Sequence, residues 1–411
     1  MDEPLPEGLR DALGATSRRR LLKAGMRAGA GLVVLGLADL LAACGGSASS
    51  PSAPAATSAA ASSSAPAASA GASADVQKAY DSFVKAQMPN VPIDLLTAAK
   101  QEGSLNVYLL VPAFNKQLVE TFQQTFPFVN TQLTSLNGGP LTAKFLAEVT
   151  SNNPIADVAQ FSALSDATGA VSKGYVLNYQ LTQESSLNMA AGVAGYVVPV
   201  TGDLLTIAYN PQKTPDSSVS SLTKWDGILD PQWNGKSIAV GEVMAGGTTQ
   251  LLNYYLFKTF GTKIWQHVAA GSYGIYPGGN PEIASVVSGE RDLAYGVPQS
   301  LAVAALQNGD PLHWTNPQAW LATPYVQVIS AKAKHPSAAK LFQEFSATEA
   351  AQNIFAKYGG ISYRKGFSAK TSFSQQSWYD KVDPAQYWSY SDADLGSAIK
   401  GIATQWRSII K

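Results

Sequence analysis

Strand-length apolar runs alternate with helix-period segments twice along this 411-residue chain, and the rhythm predicts an α/β fold of two lobes. Each lobe would be a mainly parallel sheet flanked by helices, with a hinge joining them. Two segments of strand character on either side of the second α/β unit support a lobe inserted into another lobe. Uncharged Gly-, Ser-, Thr-, Asn- and Pro-rich loops following the strands of both units point to a cleft for a small polar molecule.

The first unit opens after one or two helices within Val76 to Lys100. Ser104 to Val111 is a near-continuous apolar run of strand length, and Leu118, Phe122 and Phe126 share a helical face before Pro127 ends it. Val129 to Thr134 is the next strand. Pro140 opens a helix carrying Leu141, Phe145 and Val149 on one face, and Ile155 to Phe161 is a third strand. Strand, helix, strand, helix, strand in so short a span requires parallel pairing with right-handed crossovers.

The second unit repeats the pattern. Ser237 to Val243 is a strand, Gly246-Gly247-Thr248-Thr249 opens a helix through Phe260, and Tyr273 to Tyr276 is a short strand. Glu282 to Ser288 is a helix, Asp292 to Val297 a strand and Gln299 to Gln307 a helix. The crossing segments are Leu204 to Tyr209 and Tyr325 to Ile329, the latter followed by Pro336 and a helix bearing Leu341, Phe342 and Phe345. The expected division is therefore 75–205 with 322–411 for the first lobe and 206–321 for the second.

Composition narrows the function. Lys and Arg total 29 and Asp and Glu total 29, which argues against a basic track for nucleic acid. The single cysteine, Cys44, excludes an intramolecular disulfide framework and cysteine-rich metal centres. His267, His313 and His335 have no metal-ligand spacing. Neither GxSxG, HExxH nor GxGxxG occurs. Gly235-Lys236-Ser237 matches only the end of a phosphate-binding loop and precedes a strand, and Ser221-Leu222-Thr223-Lys224 lacks the companion motifs of penicillin-recognising enzymes. No enzyme, cofactor or metal site is expected.

Ligands of open parallel sheets sit beyond the carboxyl ends of the strands. The loops there supply Phe114, Asn137, Gly138, Gly139, Gln160, Phe161 and Ser162 from the first lobe. The second supplies Gly246, Gly247, Thr248, Thr249, Gly278, Gly279, Asn280, Pro298 and Gln299, with Tyr209 and Glu242 close by in sequence. Backbone N–H groups at Gly-rich helix starts suit an anionic or oxygen-rich group such as a phosphonate, a sugar phosphate or a polyol. Glu242 with Phe114, Phe161 and Tyr209 would instead suit an amine such as a polyamine. The two Gly-rich helix starts weigh slightly towards the first group, and both stay open.

The amino terminus reads as an address. Ser17-Arg18-Arg19-Arg20-Leu21-Leu22-Lys23 precedes a short apolar stretch interrupted by Asp39, and resembles a twin-arginine export signal with Leu21 in place of the usual Phe. Leu41-Ala42-Ala43-Cys44 resembles a bacterial lipobox, so residues 1–43 are expected to be removed and Cys44 lipidated, anchoring the protein at the outer face of the cell membrane. Residues 44–74 then form a tether of Ala, Ser, Pro, Gly and Thr after the cysteine. As a flexible coil it spans roughly 30 Å. Loss of Arg10, Arg18, Arg19, Arg20, Lys23 and Arg27 with Asp2, Glu3, Glu7, Asp11 and Asp39 leaves 23 basic against 24 acidic residues, so the mature chain stays neutral.

The runs Gly235–Gly261 and Gly274–Pro298, with Lys332–Phe345 and Ile354–Gly360, resemble extracellular solute-binding proteins of ABC importers, in the iron/phosphonate/polyamine-type branch. Glu102–Pro127 and Leu205–Gln212 fit the same pattern. The resemblance implies a two-lobed type II periplasmic-binding fold that closes over a small polar solute and docks on an ABC permease, as a monomer. The family's ferric members place a tyrosine pair after the strand matching Asp292 to Val297, where this chain has Pro298-Gln299-Ser300, so the resemblance does not carry iron binding. Tyr254 and Tyr255 lie within an apolar helix and read as core. A surface-anchored sensor without transport, or an exported hydrolase, is the alternative.

Overall fold

The computed structural model describes residues 72–110, 113–367, 371–379 and 387–411. The export signal, Cys44 and all but the end of the tether lie outside the described residues. That end is not tether-like: Ala72 packs against the first core, and Lys100 bonds the Ser73 hydroxyl at 3.0 Å. The amino-terminal helices are α1 (Ala74–Ala79), continued through a π-helical turn at Tyr80–Val84 into α2 (Lys85–Gln87), and α3 (Ile93–Glu102).

The first α/β unit then runs β1 (Ser104–Leu110), α4 (Ala113–Thr125), β2 (Asn130–Leu136), α5 (Gly138–Thr150), β3 (Val158–Phe161) and α6 (Leu164–Ser172). The long strand β4 (Val198–Tyr209) leads to the second unit. That unit comprises β5 (Ser237–Gly241), α7 (Gly247–Phe260), α8 (Lys263–Ala270), β6 (Ser272–Tyr276), α9 (Gly279–Val287), β7 (Leu293–Pro298), α10 (Gln299–Gln307) and β8 (His313–Thr315). The chain returns through β9 (Ala322–Ile329), α11 (Pro336–Ser346), α12 (Glu349–Lys357) and β10 (Ile361–Ser362), and ends in α13 (Asp392–Ile409).

The strand order β2-β1-β3-β9-β4-β7-β5-β6 contains both expected parallel units. β1 lies parallel to β2 and β3, and β5 lies parallel to β6 and β7. Between them β9 and β4 run antiparallel to their neighbours and to each other. β4 is twice the length expected and is buried along all twelve residues. Its first half pairs with β9 as far as Leu204, and from Leu205 it pairs with β7. One continuous strand thus passes from one lobe to the other.

The first lobe closes around an aromatic centre in which Phe122 meets Phe126, Phe342 and Phe345. The second lobe has apolar residues on both faces of its sheet, one face around Trp225 and Tyr295 and the other around Trp314 and Phe373. The C-terminal helix departs from expectation. Assigned with the first lobe, α13 buries Leu395, Ile399, Ile402 and Trp406 in the core beside α7 and α8, because its apolar stripe has its complement there. Tyr254 and Tyr255 are core residues of α7, as the apolar run implied. No helix among the described residues is long and apolar enough to cross a membrane.

Candidate functional site

The carboxyl ends of the strands of both lobes face each other, and the loops beyond them enclose a cavity of about 50 Å³. From the first lobe come Leu110, Asn137, Gly138 and Ser162, each at a strand end or within two residues of one. From the second come Ala245, Gly246, Thr248 and Thr249 at the start of α7, Gly278, Gly279 and Glu282 at the start of α9, and Gly296, Pro298 and Leu301 around the start of α10. Tyr325 of β9 completes the wall.

The lobes touch at this rim. The Gly247 N–H donates to Ser162 Oγ at 3.1 Å, the Gly139 N–H donates to the Ala245 carbonyl at 3.1 Å, and the Asn137 amide reaches the Pro277 carbonyl at 3.4 Å. Glycine is required at position 247 by space, since a Cβ there would lie 1.6 Å from the Ser162 carbonyl oxygen. The contact is therefore backbone against backbone.

Two buried carboxylates give the site its electrostatic character. Asp203, in the crossing strand β4, accepts from the Ser300 N–H at 3.0 Å, the Ser300 hydroxyl and the Tyr325 hydroxyl at 3.4 Å. Burial still outweighs these bonds and raises its pKa to about 7. Glu282 is 2% exposed, and its Oε2 has no hydrogen-bond partner among the described residues. With no bond to offset it, burial pushes its pKa up to about 8. In the sequence Glu282 is only a charge near the loops, and nothing local marks Asp203 or the wall residues Leu110, Ala245, Gly296, Leu301 and Tyr325 as belonging to the site. A carboxylate in the turn after Gly278-Gly279 was the available signal for Glu282.

The structure brings Asn137, Gly138, Ser162, Gly246, Thr248, Thr249, Gly278, Gly279 and Pro298 together on the wall, and places Gly139 and Gly247 in the contact between lobes. The other expected residues lie elsewhere. Phe114 and Phe161 are fully buried in the first core, Phe114 against Phe355 and Phe161 against Phe145. Gln160 accepts from the Leu110 N–H and the Asn115 amide below the wall. Tyr209 stands beside Leu293 at the opposite edge of the sheet, because β4 runs antiparallel to β7, and its hydroxyl bonds Asp216 at 2.8 Å. Glu242 turns outwards to Arg407 of α13 at 3.0 Å. Asn280 is exposed, and the buried Gln299 side chain donates to the Gly359 carbonyl at 3.1 Å. No group of His, Cys, Asp or Glu among the described residues could hold a metal ion.

Residues 112–360 match the family model described as bacterial extracellular solute-binding protein. The chain belongs to this family. Solved structures agree with the fold. The substrate binding protein of an ABC transporter from Agrobacterium tumefaciens is 16% identical, with a TM-score of 0.62 over 75% of this chain and 94% of that one. AfuA from Actinobacillus pleuropneumoniae, a periplasmic binding protein with fructose-6-phosphate bound, is 19% identical, with a TM-score of 0.62 over 75% and 98%. Iron-bound HitA from Pseudomonas aeruginosa is 20% identical, with a TM-score of 0.59 over 75% and 99%. No curated protein sequence matches the chain significantly. The binding protein thus has the two-lobed type II periplasmic-binding fold and is not an enzyme. Its two lobes meet at the strand-end loops, where the hydrogen bond from the Gly247 N–H to the Ser162 hydroxyl forms part of the rim.

Proposed function

We propose that this solute-binding protein is anchored by lipidated Cys44 at the outer face of the cell membrane, captures a small polar solute between its lobes, and delivers it to an ABC permease. The observation that carries this reading is the convergence of both sets of strand-end loops on one cavity, with hydrogen bonds between lobes at its rim. A solute can enter only when Gly247 and Ser162 part, so capture and lobe closure are one event. The motion would bend β4 near Leu204 and Leu205, where it exchanges β9 for β7 as its partner. The lobes proposed are 72–204 with 322–367, and 205–321 with the C-terminal helix.

A thermal-shift screen of phosphonates, sugar phosphates, polyols, amines and amino acids, followed by small-angle scattering with the best compound, tests capture. A raised melting temperature with a smaller radius of gyration is expected. Turnover of a compound with no shift from any class would overturn the reading. Cys44→Ser should move the exported protein from the detergent to the aqueous phase, and an unchanged partition would remove the anchor. Loss of solute uptake on deleting this chain separates delivery from sensing.

A further inference from the structure

We propose that the solute held between the lobes carries a protonated amine and that Glu282 is the carboxylate against which its nitrogen sits. The inference deepens the reading above and rests on it. Among the described residues Glu282 is the one acidic or basic side chain on the cavity wall, it is almost wholly buried, and its Oε2 is bonded to nothing. A buried acceptor without a donor is costly, and a ligand that brings the donor removes the cost.

Several groups at the rim that would favour an anion are already engaged. Of the helix-start N–H groups, Gly139 donates to Ala245, Gly247 to Ser162, and Ser300 to Asp203. The Thr249 hydroxyl donates to the Gly246 carbonyl at 2.8 Å, and Tyr325 spends its proton on Asp203. Among the described wall residues, the buried side-chain polar atom left without a partner is the Glu282 Oε2 acceptor, which an ammonium, with three N–H groups and no acceptor, would satisfy. The ionisable residues on the elements packed against α9 are Asp203 and Tyr209 on β4, Tyr273 and Tyr276 on β6 and Tyr295 on β7, so none supplies a cation. The Tyr276 hydroxyl is held by Glu290 and Arg291, and that of Tyr295 by the Trp225 carbonyl.

Calorimetric titration of the full chain with ethanolamine, 1,3-diaminopropane and 1,4-diaminobutane, against 1,4-butanediol, methylphosphonate and fructose 6-phosphate, tests the assignment. At least one amine is expected to bind, at least tenfold more tightly than the diol or either anion. Because Glu282 holds its proton near neutrality, amine binding at pH 7 should release a proton, read as a dependence of the heat on the buffer's ionisation enthalpy. Glu282→Gln should weaken amine binding at least tenfold and abolish that release, while Glu282→Asp should keep part of both. Thermal melts of the unliganded variants check that they fold. Binding of the diol or an anion with no amine bound, or undiminished binding to Glu282→Gln, overturns the assignment but leaves solute capture standing. Binding of no compound from the three classes overturns both.

Discussion

Glu344 and Glu282 are both buried glutamates, and their surroundings are opposite. Glu344, on α11 in the first lobe, accepts from the Tyr179 hydroxyl at 2.8 Å, the Thr182 N–H at 2.7 Å and the Thr182 hydroxyl at 2.9 Å. It ties the segment before β4 to the helix that covers the first sheet. Glu282 faces the cavity between the lobes with one oxygen unbonded. A carboxylate whose acceptor capacity is met by its own chain holds a structure together, whereas one left unmet at a cleft is available to a ligand.

The largest effect should come from breaking the satisfied carboxylate. Glu344→Ala strands the Tyr179, Thr182 and Gln183 donors and should cost about 3 kcal/mol or more in urea unfolding. Glu282→Gln, which removes a buried ionisable group and no protein bond, should not destabilise the unliganded protein. Equal losses from the two substitutions would erase the distinction between them.

The pH dependence sharpens the same contrast. The folded pKa of Glu282 is about 8 against an ordinary 4.5, so the unfolded chain releases this proton first. Its contribution to stability is complete below pH 4.5 and is lost as pH rises towards 8, on the order of a few kcal/mol. Asp203, raised from 3.8 to about 7, acts in the same direction. Unfolding free energy should therefore fall between pH 5 and pH 8, and Glu282→Gln should make the fall shallower. Parallel curves for wild type and variant would show that Glu282 titrates normally.

Closure should be the next most sensitive property. In Gly247→Val the new Cβ meets the Ser162 carbonyl, so the lobes cannot seat. Affinity for a bound solute should fall roughly tenfold to a hundredfold, with unchanged circular dichroism, because both lobe cores are untouched. The smallest effect belongs to Arg407→Ala. Its pair with Glu242 is half exposed and should be worth under about 1 kcal/mol in the same unfolding assay.

The strand and helix rhythm was readable because periodicity is a local property, and the Gly-rich loops were readable because they end strands. Tyr209 was misplaced for a reason no local pattern carries: the direction of β4 reverses which edge its last residue occupies. Phe114 and Phe161 adjoin the loops in sequence, yet their rings turn into the core. The placement of α13 depends on a partner surface some 130 residues earlier in the chain, on α7 and α8. Glu282 was visible as a charge, but its missing partner is a fact of tertiary structure.

The most direct test of a solute held between the lobes is to fasten them across the cleft. In a Cys44→Ser background the chain has no other cysteine, and a Cβ built at Gly278 lies 3.0 Å from Asn137 Cγ. Asn137→Cys with Gly278→Cys should therefore crosslink the rim on oxidation. A solute that raises the melting temperature of the wild-type protein should bind the reduced form, with an affinity lowered by the two wall substitutions, and fail to enter the oxidised form. Equal binding to both forms would contradict its placement between the lobes.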